Sequence, residues 1–311
     1  MSARLIVCED LNRAIDELRR EGFRIEIIYP ADEPHTAVMS HEGEAVRLTT
    51  RPDAQPPSAE LPPFQPKFVL TRAGGCSGEG RAGMHYRDLI PGRLGGRYIA
   101  SHITIAEGGP VSDWVHYHRI AFQMIFVRSG WVRVVYQDQG EPFVMESGDM
   151  VLQPPGIRHR VLESSPGLEV IEISCPALHE TFADHDMGLP NAARDTARTY
   201  AGQRFLRHVA EDAPWTSIDG FETQETAMRE ATGGLADARV LRPGNASGMP
   251  PSEHAGELVF GFVLGGSAHL DFGDGFDLGS SDAFVIPPGE PWALVRASPD
   301  FRLLHVTTSR F

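Results

Sequence analysis

The chain repeats itself, and that repeat limits the possible folds more than any other feature. Placing His118 over His254 sets Gly130 over Gly266. SGDMVLQPPGIRH then falls on SSDAFVIPPGEPW, so that Pro154-Pro155-Gly156 meets Pro287-Pro288-Gly289, and upstream Gly95-Gly96 corresponds to Gly233-Gly234. Each copy is a series of short alternating stretches divided by Gly, Pro, Asp and Asn, which is the pattern of an all-β sandwich or barrel. The repeat predicts a mainly β chain built from two tandem barrels.

What precedes the repeat has a different rhythm. RLIVCE is β-branched and apolar. LNRAIDELRREGF follows with Leu11, Ile15 and Leu18 on one helical face, Asp10 or Asn12 available as cap, and Gly22 as stop. RIEIIYP, HTAVMS and EAVRLTT read as three more strands, giving a small βαβββ segment over residues 1–50. Its His35 and His41 sit beside turns and are expected in solvent. Proline recurs too often in residues 51–66 for a helix or central strand, so this is a linker. The expected barrels are residues 67–180 and 221–311. Between them, residues 181–220 form a polar connector, with an Ala-rich, partly helical pattern between Asp184 and Asp212.

Composition narrows the class of function. With 311 residues, 41% hydrophobic and 23% charged, the chain can bury sizeable cores. A net charge of −14 disfavours gripping nucleic acid, which needs Lys and Arg against phosphates, and makes a small-molecule or protein partner the expectation, with a small-molecule substrate favoured. Cys8, Cys76 and Cys175 follow no zinc-binding spacing and read as buried thiols of a reducing compartment. The N-terminus has no signal-peptide pattern and no stretch is apolar for ~18 residues, so a cytoplasmic protein without membrane contact is expected. Uncovered barrel edges and the small N-terminal segment suggest a homodimer.

Chemistry concentrates in the first copy. In HYHRIAFQ, His116 and His118 lie two residues apart and so share one face of a strand. Gln123 follows, and His159 closes the PPGIRH stretch. These four side chains can converge on one divalent ion in a small barrel. Buried together without a metal, three imidazoles would disfavour one another's protonation and leave ring nitrogens to satisfy. The second copy has Ser252, Val259 and Trp292 in place of His116, Gln123 and His159, keeping only His254, with Glu257 nearby. It reads as a structural barrel, or as a metal-free pocket lined by Trp292 and Phe260. Three further residues are candidates for chemistry around the ion: His102 in the strand before the histidine pair, Arg128, which could hold a substrate carboxylate bidentately, and Tyr136.

These motifs resemble those of the cupins. HYHRIAFQ with Gly130 is similar to the first cupin motif, and Gly148, Pro154, Gly156 and His159 to the second, so the chain resembles a bicupin with two double-stranded β-helix domains. The resemblance implies a single metal site on His116, His118, Gln123 and His159, with Gln123 standing where most members have Glu. It also implies a metal-dependent enzyme, with a dioxygenase on an oxygen-rich or aromatic molecule as the leading expectation. A Lewis-acid isomerase, hydrolase or lyase and a non-catalytic binding barrel are the alternatives. Fe(II) is favoured as the ion, with Zn, Ni, Mn or Cu also accommodated. The βαβββ segment separately resembles half of a glyoxalase-type (vicinal oxygen chelate) module, although its outer strands offer no His or Glu as a metal ligand.

Overall fold

The computed structural model describes residues 3–75, 78–79 and 84–311 and is mainly β, with two barrels behind a βαβββ segment. In that segment Asp10 caps the helix Leu11–Arg20 by accepting from the Arg13 N–H at 3.0 Å, and Leu11, Ile15 and Leu18 are buried against a four-stranded sheet. Gly22, at φ +94, turns the chain out of the helix. The sheet is not isolated. Its strand Arg24–Tyr29 pairs with Thr181–Ala183, which in turn pairs with His116–His118, so the N-terminal segment continues a sheet of the first barrel.

The repeat is visible in the backbone. Gly130 and Gly266 have φ +78 and +70, and the next amide in each copy (Trp131, Ser267) donates to an equivalent serine hydroxyl (Ser165, Ser298). His116 pairs with His159 in the first barrel, and Ser252 bridges Trp292 in the second. The barrels meet face to face through Phe122, Met124 and Phe126 on one side and Phe260 and Phe262 on the other. A bidentate ion pair crosses this contact, with Arg97 Nε and Nη2 donating to Glu257 at 2.9 and 2.8 Å and the Tyr98 hydroxyl donating to the same carboxylate at 3.1 Å.

Two edge strands are exchanged. Leu206–His208, which precedes the second repeat, pairs with Met150–Leu152 of the first barrel. Val69–Thr71, at the start of the first copy, pairs with Ala283–Ile286 of the second. Val69–Thr71, expected in the first barrel, therefore completes a sheet of the other one. Trp215–Ile218, expected in the connector, already pairs with Phe221–Glu225.

Other local expectations also change. None of the described residues between Asp184 and Asp212 is helical; the segment carries the short strands Thr199–Tyr200, Gln203–Arg204 and Leu206–His208. Pro190 and Gly202 interrupt the Ala-rich pattern, and Leu206 and His208 alternate as strand residues against the barrel. His35 is buried at 6% exposure, with Nδ1 against the Thr36 hydroxyl at 3.0 Å, its ring edge-on to Tyr29, and its backbone tied to Tyr29 and Thr50. Cys175 is buried, its thiol pushed up to about 12 by burial, whereas Cys8 is half-exposed; Cys76 lies outside the described residues. Among the described residues no helix is long and apolar enough to cross a membrane.

Candidate metal centre

Cross-strand pairing brings the histidines together. His116 lies directly opposite His159 on the neighbouring antiparallel strand, and His118 follows on the same face. The rings of His116 and His159 are 4.2 Å apart, and each is 5.2 Å from that of His118. One potential ligand atom from each of the three lies within 4.8 Å of the others, and all three residues are buried.

Each ring is held by its Nδ1 edge. His116 Nδ1 lies 2.8 Å from the Trp114 carbonyl and 3.5 Å from Asp113, His159 Nδ1 lies 3.1 Å from the Ile157 carbonyl, and His118 Nδ1 lies 3.0 Å from the Thr181 hydroxyl. A carbonyl at Nδ1 can only accept, which keeps a proton there and leaves Nε2 as the electron-pair donor of His116 and His159, while the Thr181 hydroxyl can either donate to or accept from His118 Nδ1. Three buried imidazoles held by their Nδ1 edges are a fitting donor set for a divalent transition ion.

Gln123 sits beside this cluster, with its amide engaged by neighbours. Its Oε1 accepts from Gln153 Nε2 at 2.8 Å and its Nε2 donates to Glu172 Oε1 at 3.1 Å. Tyr136 joins the same chain: its hydroxyl donates to Gln153 Oε1 at 2.5 Å and its ring stacks on His159 at 5.5 Å. Full burial pushes the Tyr136 hydroxyl well above its ordinary pKa, and the Glu172 charge adds to the shift, so it stays a proton donor at neutral pH.

These groups form one end of a cavity of about 100 Å³ whose remaining wall is mainly apolar, with Ile103, Ile105, Ile125, Val134, Leu168 and Val170 contributing and Tyr86 also lining it. Ala31 of the N-terminal segment also reaches the wall, so that segment helps to enclose the site. Glu172 and Gln153 were not singled out from the sequence. The signal for Glu172 was an acid on the face that Leu168 and Val170 begin, an unusual place for a charge in an otherwise apolar strand.

Two expected site residues lie elsewhere. His102 and Arg128 are on the opposite faces of their strands from Ile103 and Gln123, and strand alternation sends them to the contact between barrels. His102 Nε2 is 2.7 Å from Glu169, its Nδ1 is 3.2 Å from Arg87, and its ring meets Phe262 edge-on. Arg128 pairs with Glu169 and lies over the same Phe262 ring. Burial tends to raise the Glu169 pKa, but hydrogen bonding to His102 and the Arg128 charge outweigh it and hold the carboxyl below its usual range. Burial lowers the His102 pKa. Arg128 is therefore in no position to clamp a substrate carboxylate.

Among the described residues the interior of the second barrel is filled where the first has its chamber. Gly261 stands where the first barrel has Ile125, and the Phe284 ring lies so close that a Cβ on Gly261 would meet it at 2.3 Å. Phe284, Ile286, Trp292, Phe301 and Leu303 fill the interior. Phe260 faces the other barrel, so it does not line a pocket with Trp292. His305 occupies the place of Glu172, opposite Gly261; burial, with Arg239 and His254 adding, pushes it down to about 3.

Residues 101–173 match the cupin domain model, and the chain carries the double-barrel cupin fold. Among solved structures it is similar to salicylate 1,2-dioxygenase from Pseudaminobacter salicylatoxidans (17% identity, TM-score 0.59, 80% of this chain and 86% of that one). It is also similar to protein Ylba from E. coli (12%, 0.57, 78% and 91%) and to a variant of the Bacillus subtilis oxalate decarboxylase (10%, 0.57, 81% and 80%). At these identities the likeness establishes the fold. No curated protein sequence matches.

Proposed function

We propose that His116, His118 and His159 hold one divalent transition ion in the first barrel, and that the protein is a metal-dependent oxidoreductase of dioxygenase type acting on a small organic molecule. The observation that carries this reading is the orientation of three buried histidines by their Nδ1 edges around one point in an apolar chamber. When bound there, Fe(II) would supply a redox-active centre for reaction of the substrate with O₂, and neutral ligands leave its charge uncompensated.

The protein supplies the remainder. The Trp114 and Ile157 carbonyls and the Thr181 hydroxyl orient the imidazoles, the aliphatic wall excludes water, and Tyr136, Gln153 and Gln123 fix the polar end of the chamber. We assign Gln123 to positioning, since both ends of its amide are engaged by Gln153 and Glu172. The second barrel serves as scaffold. The salicylate dioxygenase among the structural neighbours supports an oxidoreductase, while the decarboxylase supports a lyase built on the same ion.

The two readings separate in one experiment. Iron-loaded protein is mixed with a panel of small ring compounds under air and under argon, while O₂ and each compound are followed. Oxygen uptake in step with loss of one compound supports the proposal. Equal turnover under argon with zinc in place of iron would overturn it in favour of Lewis-acid chemistry.

A further inference from the structure

We infer that Ala31, a residue of the N-terminal segment, sets the size of molecule that reaches the histidines, and that the chamber takes substrates of one small ring or less. The inference rests on the first barrel holding the active chamber. Among the described lining residues Ala31 is the one that comes from outside that barrel, and its side chain is the smallest, the next being valines. The barrel's own share of the wall stands on strands and packs into a buried cluster with Val132, Val134 and Met145, where a change of volume disturbs the neighbours. Ala31 stands on the loop of residues 30–34, which leaves the sheet after Tyr29. Room beside the ion can be given or withheld there without repacking the barrel.

The loop is held as a fixed part of the wall. The His35 amide closes it by donating to the Tyr29 carbonyl at 3.2 Å, and the Thr50 amide donates to the His35 carbonyl at 2.9 Å. Next to Ala31, Asp32 Oδ2 accepts from Arg93 Nη2 of the first barrel at 2.5 Å in a partly buried ion pair, while Glu33 pairs with Arg51 at the surface. The strand leading into the loop brings it to the histidine end, since Ile28 lies opposite Thr181, which lies opposite His118. Burial lowers the His179 pKa against the pull of the Pro176 carbonyl and of the nearby Asp32, and the His179 ring stands edge-on to His118 at 5.5 Å. The size limit follows from volume. The chamber, at about 100 Å³, is smaller than the ~150 Å³ apolar cavity that takes up benzene. A single ring already fills it, so a substituent on the ring and a larger side chain at position 31 compete for the same space.

The test uses benzene and ethylbenzene, two neutral probes that differ in length, on the whole metal-free protein. Dissociation constants are measured by ligand-observed NMR. Burying the extra carbons would by itself favour ethylbenzene, so the expected preference of the wild type for benzene, at least tenfold, reports a size limit. Ala31→Leu should weaken benzene binding at least tenfold, and Ala31→Gly should shift the ratio at least threefold toward ethylbenzene. Asp32→Asn, which removes the ion pair that holds the loop, should relax the preference at least threefold. The inference is overturned if the wild type binds ethylbenzene as tightly as benzene, if benzene does not bind at millimolar concentration, or if the ratio in Ala31→Gly stays within twofold of wild type. The wild-type and Ala31→Gly comparisons stand even where Ala31→Leu folds poorly. Absence of metal from the wild type would count against the metal-centre reading alone, since the probes are read without metal.

Discussion

Changing Gln123 to Glu restores the acid expected at that position, yet the structure predicts that it harms the protein. The amide nitrogen of Gln123 lies 3.1 Å from Glu172 Oε1, so the variant would place a second carboxylate oxygen at that distance. Two unit charges 3.1 Å apart repel by about 5 kcal/mol at an effective dielectric of 20, and partial exposure of Glu172 reduces this to about 2–5 kcal/mol. The neighbouring charge therefore pushes one carboxyl of the pair above its ordinary range. A raised acid binds more protons folded than unfolded. Stability is therefore lost as pH rises from about 4.5 and levels off above the raised value. Urea unfolding of metal-free wild type and Gln123→Glu at pH 5 and pH 8 measures this directly. The gap between the proteins should widen by about 1–4 kcal/mol between pH 5 and pH 8, the first ~1 kcal/mol of the repulsion being already felt at pH 5. A gap independent of pH would refute the pairing of Gln123 with Glu172.

Three other outcomes follow from buried charges. Arg97→Met strands the Glu257 carboxylate at the barrel contact and should cost about 3–5 kcal/mol in denaturant unfolding, with much of it regained when Glu257→Leu is added. His305 is held down to about 3, so the folded state refuses a proton that the unfolded chain accepts below 6.5; wild-type stability should fall by up to about 1.4 kcal/mol per pH unit from this group between pH 6.5 and 3. In His305→Leu that part of the acid slope should vanish, as read from unfolding curves at pH 7, 6 and 5. Because His102 and Arg128 face the other barrel, His102→Ala and Arg128→Ala should leave metal content at the wild-type level by elemental analysis, while lowering the melting temperature.

Much of this was legible in the chain, for identifiable reasons. The glycines at positive φ, the PPG turns and the HxH spacing are local signals, and they located both barrels and the three histidines. The helix Leu11–Arg20 was equally readable, since cap, apolar stripe and stop lie within a dozen residues. Facing was harder. His102 and Arg128 lie in strands buried on both sides, and there alternation cannot say which face looks into the barrel and which onto a neighbouring one. The exchanged strands Val69–Thr71 and Leu206–His208 are long-range pairings that leave no mark on local pattern. Glu172 was missed because its partner, Gln123, lies on a strand far away in sequence. The emptiness of one barrel and the fullness of the other turned on pairs such as Ile125 against Gly261 and Val151 against Phe284, whose meaning depends on what packs over them.

The central claim is that one ion sits on His116, His118 and His159 and none in the second barrel. Elemental analysis of purified wild type and His118→Ala, both folded by circular dichroism, addresses it most directly. The account predicts close to one transition ion per wild-type chain and a loss of at least nine-tenths of it in the variant. A wild type holding none after reconstitution, a stoichiometry near two, or a variant with undiminished metal would contradict it.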